Sequence, residues 1–168
     1  MEENQDLIQC SLEAAISKTM ECMAFEEVMV MQSEDEIPVF VAPEDVLWAG
    51  LTMKMPYRGQ LLLEIAQDYG LLLAEEVYGE SDLEISDACI RDALAEILNT
   101  IAGRFLNAVV PSDQVFQLGL PSTGHGELTV NSKPVRTIVV NVGEHYLSTH
   151  LFGESFLNLS NSAPINLE

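Results

Sequence analysis

Apolar positions recur at helical intervals over residues 4–23, where Leu7 or Ile8, Leu12, Ala15, Ile16, Thr19, Met20 and Met23 fall on one face. FEEVMVM, residues 25–31, then reads as a short strand, and the acidic QSEDEIPVFVAPED that follows reads as an exposed loop. Over 46–55, Leu47, Ala49, Leu51, Met53 and Met55 alternate against a mixed face, the period of a half-buried strand. PYRG, 56–59, has turn chemistry, and QLLLEIA resumes as the partner strand. Helical spacing returns over 66–78 and stops at Gly79.

Beyond the polar GESDLEIS, the run SDACIRDALAEILNTIAGRFLNAVVP, residues 86–111, reads as one long helix that Asp87 or Ser86 can cap. Phe116, Leu118 and Leu120 then alternate as a strand until Pro121 and STGHG break the run. VRTIVVNV and HYLSTHLF read as two strands joined at Gly143, and the tail LNLSNSAPINLE is polar. These elements predict an α+β fold, an antiparallel sheet with helices on one face.

At about 100° per residue, the long helix separates into two stripes. Ile90, Leu94, Ile97, Ile101, Phe105 and Ala108 lie within roughly 40° of one direction and form the predicted core face. Asp92, Glu96, Asn99 and Gly103 lie within roughly 20° of the opposite direction, so this polar line points away from the core. Surface helices ordinarily carry Lys and Glu there.

Length and composition bound the rest. With 168 residues, 48% of them hydrophobic, the chain suits one domain, with its core over about 4–152 and a loose tail at 153–168. Its 27 acids against 7 bases give a formal charge of −20, which repels nucleic acid and anionic membrane surfaces. No apolar run is long enough to span a bilayer, and the N-terminus MEENQDLIQC lacks the pattern of a secretion signal. Three cysteines form no ligand-spaced pair; Cys10 and Cys22, about 18 Å apart on one helix, cannot bridge. A reducing, cytoplasmic setting is expected.

Glu96 and Asn99 are the candidate chemistry. A carboxylate at neutral pH only accepts hydrogen bonds and can hold a lysine or arginine; a primary amide donates and accepts and can hold a water in one orientation. Three residues apart, both reach one small target. No Ser, Cys or Thr stands beside a His on that face, so any chemistry there uses water as the attacker on a substrate already reactive, as an acyl phosphate is. Gly103, lacking a Cβ, would let another macromolecule approach the backbone. Taken alone, Glu-x-x-Asn on an exposed helix face is also ordinary solvated surface. The three histidines, His125, His145 and His150, lack the spacing of a zinc site, and STGHG lacks the lysine and following helix of a phosphate loop.

DALAEILNTIAGRF, followed by the strand ending in LGLPSTGHG, resembles the CheX branch of the CheC/CheX/FliY chemotaxis phosphatases. That family's motif is Asp or Ser, three residues, Glu, two residues, Asn, then a proline some twenty-two residues on. Asp92, Glu96 and Asn99 match the first three positions, and Pro121 follows after 100–120, one residue short of the usual gap. LWAGLTMKMPYRGQLLLEIAQDYG resembles the family's strand pair and following helix, so the likeness covers about 4–152. The first helix has no Glu-x-x-Asn, which matches the single site of CheX-like members.

The resemblance implies a phosphatase acting on the phospho-aspartate of a CheY-like response-regulator receiver domain in two-component signalling. Asn99 would orient the attacking water and Glu96 would pair with the receiver's lysine, with Asp92, Gly103 and Pro121 supporting the docked surface. It implies that this chain binds no cofactor, the Mg²⁺ belonging to the receiver, and that the protein forms a homodimer through its sheets. A receiver-binding or scaffold module that docks without hydrolysis is the alternative of another class.

Overall fold

The computed structural model describes residues 6–32, 43–79 and 84–159. The expectations for residues 1–5, 33–42, 80–83 and 160–168, the start of the first helix, the acidic loops and the end of the tail, lie outside the described residues.

Helix α1, Leu7–Met23, starts at Asp6, whose side chain accepts from the Ile8 N–H at 3.0 Å. It buries Ile8, Leu12, Ala15, Ile16, Thr19 and Met20, so Ile8 and not Leu7 begins the apolar stripe. FEEVMVM yields only a two-residue strand, β1 (Met29–Val30). Phe25 turns the chain there with φ of 53° and is exposed.

Strands β2 (Val46–Met55) and β3 (Gly59–Ala66) form the expected hairpin, paired from Val46↔Ala66 to Met53↔Gly59. Leu47, Ala49, Leu51 and Met53 are buried, as the alternation requires, and Met55 is exposed at the hairpin end. Helix α2, Gln67–Tyr78, follows β3 directly and ends at Gly79, whose φ of 74° is the left-handed conformation in which a Cβ is strained. Ser86 caps helix α3, Asp87–Val109, by accepting from the Cys89 N–H at 3.3 Å.

After α3 the strand expected over Phe116, Leu118 and Leu120 is shorter, and a second strand stands where a break was expected. Gln117–Leu118 is β4, Leu120 projects into solvent at 94% exposure, and Ser122–His125 is β5. STGH is therefore a strand and not a break. β4 and β5 lie along the same edge of β2, Met53 facing Leu118 and Trp48 facing Gly124. The glycine that reads as punctuation has a packing reason: a Cβ on Gly124 would stand 2.1 Å from the Trp48 ring. Pro121, with no N–H to donate, falls where pairing is interrupted. Strands β6 (Arg136–Val142) and β7 (His145–Phe152) turn at Gly143, φ 63°.

Among the described residues seven strands form one antiparallel sheet in the order β1-β6-β7-β3-β2-β4, with β5 also on β2. Leu47, Leu51, Leu61, Leu63, Ile65, Ile138, Val140, Leu147 and Leu151 meet α1, α2 and α3 in one core. The other face carries Trp48, Leu62 and Phe152. There Leu128 and Val130, from the β5–β6 connection, share the lining of a cavity of about 210 Å³.

The core extends past β7. Phe156, in a short turn at Glu154–Phe156, is fully buried, its ring 5.8 Å from Phe105 and 5.7 Å from Tyr57 between centroids. Gly59 makes room for it, since a Cβ there would meet the Phe152 carbonyl oxygen at 2.1 Å and the Phe156 ring at 2.7 Å. Phe156→Ala should cost about 3–5 kcal/mol of unfolding free energy by denaturant titration. An unchanged midpoint would remove this turn from the cooperative core.

Candidate functional site on the outer face of α3

The sequence of α3 sets its rotational phase. Leu94, Ile97, Leu98, Ile101, Ala102, Phe105 and Leu106 are at most 1% exposed. Burying each large side chain of this set contributes about 1.5–3 kcal/mol, so the helix cannot roll without exposing several at once. The buried face is broader than the predicted stripe, taking in Leu98, Ala102, Leu106 and Val109. Ile90 is only half-buried, and Ala108 is exposed, a correction to the predicted core. Ala108 borders a groove between α1 and α3 that neither helix fills.

With the phase fixed, Asp92, Glu96 and Asn99 are exposed and Gly103 is half-exposed. Among the described residues neither Glu96 nor Asn99 makes a side-chain hydrogen bond or ion pair, so the pair is available to a ligand. Pro121 is half-buried at the β4–β5 interruption, on a separate element from the other four.

Gly103 has no packing role. A Cβ at this position would meet nothing within 4 Å, yet a glycine inside a helix costs about 1 kcal/mol relative to alanine. Nothing in the fold asks for it.

Tyr78, the last residue of α2, is a neighbour of this line that sequence reasoning misses. It is 48% exposed. Its phenol pKa is raised, first by partial burial and then by the negative charges of Asp92, Cys89 and Glu96. A negatively charged neighbourhood disfavours the phenolate, so Tyr78 stays a neutral donor beside two carboxylates. The groups that influence one another stand on two helices, and no local spacing encodes that.

The histidines are apart. His125 Nε2 lies 3.0 Å from the Gln67 side-chain oxygen; His145 stacks on Tyr69 with 4.6 Å between centroids; His150 sits between Glu64 and Thr137 at 2.9 Å each. Among the described residues no group of three His, Cys, Asp or Glu could hold a metal ion. None of the described helices is long and apolar enough to cross a membrane.

A concavity of about 660 Å³ lies at the first turns of α2 and α3 and is lined by Asp45, Gln67, Asp68, Leu71 and Ile90. Glu96 and Asn99 are not among its lining residues and stand on the exposed outer face of α3. That setting suits a macromolecular partner better than a small molecule, which needs a cleft to bury its surface.

A family model described as chemotaxis phosphatase CheX matches residues 49–142, more than half of the chain. No curated protein sequence matches significantly. Among solved structures, a chemotaxis protein CheX from Desulfovibrio desulfuricans aligns with TM-score 0.69 at 18% identity, covering 88% of this chain and 99% of that one. CheX from Vibrio vulnificus aligns with TM-score 0.67 at 14% identity, covering 92% and 100%. A CheX–CheY–BeF3–Mg²⁺ complex from Borrelia burgdorferi aligns with TM-score 0.63 at 15% identity, covering 86% and 96%. At these identities the structural likeness speaks for the fold.

Gly103→Ala should stabilise the isolated protein by about 0.5–1 kcal/mol in thermal or denaturant unfolding. A loss of stability would show that the missing Cβ serves packing after all.

Proposed function

The chain belongs to the CheX family of chemotaxis phosphatases, and from that membership we propose that it hydrolyses the phospho-aspartate of a CheY-like receiver domain at the outer face of α3. The observation that carries this reading is the pair Glu96 and Asn99, exposed, without partners among the described residues, and held in phase by the buried side of the same helix. A CheX of this fold has been solved with CheY bound, which supports a receiver as the partner.

The geometry divides the work between two molecules. An acyl phosphate is an activated mixed anhydride, so hydrolysis needs a water placed in line with phosphorus and charge compensated around the phosphoryl oxygens. Asn99 supplies the first. Its carbonyl oxygen accepts one water proton and its amide can donate to a phosphoryl oxygen, which fixes the direction of attack. Such positioning contributes several kcal/mol of barrier reduction, about 7–11 in the most favourable intramolecular cases. Glu96 pairs with the receiver's lysine and anchors the docked complex. The Mg²⁺ that neutralises the phosphoryl group belongs to the receiver.

Tyr78 and Asp92 border the same surface, and Gly103 lets the receiver backbone come close to the helix. The chain supplies no nucleophile, and the phosphoryl group passes to water with release of inorganic phosphate. The aspartate of the receiver is the leaving carboxylate.

Asn99→Ala should lower turnover of a cognate phosphorylated receiver by roughly 10²- to 10⁴-fold while complex formation survives. Timed phosphate release measures the first and calorimetric titration the second. Normal turnover in this variant would refute the water-positioning role, and wild-type protein that binds the receiver without speeding phosphate loss would establish the non-hydrolysing binder. Glu96→Ala should weaken docking and slow turnover together. Added salt should reproduce part of the docking loss in the wild type, because an exposed ion pair is screened within about 10 Å at 0.1 M; salt-independent docking would exclude a cation as the partner of Glu96.

A further inference from the structure

One of the few cationic regions of this acidic chain lies next to the proposed catalytic line. A groove of about 420 Å³ between α1 and α3 is lined by Ser11, Ala14 and Lys18 on one side and Arg104, Asn107 and Ala108 on the other. The small side chains Ser11, Ala14, Ala15 and Ala108 keep it open. Its polar members are donors: an ammonium, a guanidinium, an amide and a hydroxyl.

Two of the protein's 7 basic residues line it, in a chain that carries 27 acids. Arg136 is already committed to Asp6, the cap of α1. Arg104, by contrast, is exposed and has no ion pair among the described residues, and Lys18 reaches only the exposed Glu21, at 3.4 Å. A guanidinium presents a planar fork suited to a carboxylate, and here that fork is unoccupied by the protein's own acids. The groove borders the site through Asn107, one turn beyond Gly103 on the same helix face; Arg104 lies about 7.5 Å along the axis from Asn99 and about 140° around it.

We infer that this groove seats a carboxylate-bearing segment of the receiver domain, an inference that rests on the receiver reading above. A partner that meets Asp92 and Glu96 on α3 and, two turns on, Arg104 together with Lys18 of α1 faces carboxylates at one contact and cations at the other. Docked one way round, it sets a cation on Glu96 and an acid in the groove; reversed, both ends repel. The groove thereby sets the direction in which the phosphoryl group is brought to Asn99.

Two arms test this. In the first, ¹⁵N-labelled protein is titrated with a hexaglutamate peptide. Amide shifts should concentrate at Ser11, Lys18, Arg104 and Asn107, vanish in the Lys18→Gln/Arg104→Gln variant and persist in Glu96→Ala. In the second, the same double variant should raise KM for a phosphorylated receiver about five- to tenfold, and the difference should shrink in high salt. Amides that do not move with the peptide, shifts that survive in the double variant, or an unaltered KM would each overturn the groove's role. If the wild-type chain hydrolyses no receiver, the phosphatase reading falls, and the peptide arm alone still decides whether the groove takes acidic side chains.

Discussion

Everything at the site depends on the packing of one side of α3. Leu94, Ile97, Leu98, Ile101 and Phe105 are sealed against the sheet and the neighbouring helices, and those contacts alone determine which residues face out. A side chain on a flexible loop can be aimed anywhere at the cost of ordering it. A side chain on a docked helix is aimed by burial that has already been settled elsewhere, so its entropy cost at the moment of binding is small. Glu96 and Asn99 owe their relative placement to the helical repeat and their outward direction to the apolar stripe behind them.

This explains why the catalytic candidates were legible in the sequence while some of their surroundings were not. The phase of an amphipathic helix is a local property, read from the spacing of Leu94, Ile97, Ile101 and Phe105, and its opposite line follows by arithmetic. The β2–β3 hairpin was equally local, as were the turns at Gly79 and Gly143. β5 was not. Ser-Thr-Gly-His carries turn residues, and only Trp48, 76 positions earlier than Gly124, makes that glycine a requirement of strand packing. Tyr78 beside Glu96, Phe156 under Gly59, and Arg104 opposite Lys18 are likewise pairings across elements, set by tertiary packing. The exposure of Ala108 belongs with them, because the periodicity could not foresee a groove beside α1.

The exposed line works against the helix that carries it. Gly103 and Asn99 are both poorer helix formers than alanine, Gly103 by about 1 kcal/mol and Asn99 by a few tenths. Burial of the opposite face offsets this with a wide margin, and no contact in the described structure requires either residue. Residues that weaken an element without supporting the core are what a surface shaped for a partner looks like, since selection on stability alone would favour their replacement.

Charge then decides how such a surface can be used. A chain of net charge −20 repels acidic partners at long range, and the repulsion weakens within about 10 Å at 0.1 M salt. Encounter is therefore governed by local patches. An outward carboxylate at Glu96 attracts a cation, while Arg104 and Lys18, two turns along, attract an anion. A partner with the complementary pair gains from both contacts in one orientation only. The proposed chemistry makes the same demand, because a water held by one amide would attack phosphorus along one line, and a partner docked askew would present an oxygen instead. On the proposed reading the strong negative charge and the basic groove would belong to one device: the first would suppress indiscriminate association, and the second would admit a ligand that arrives in register with Asn99.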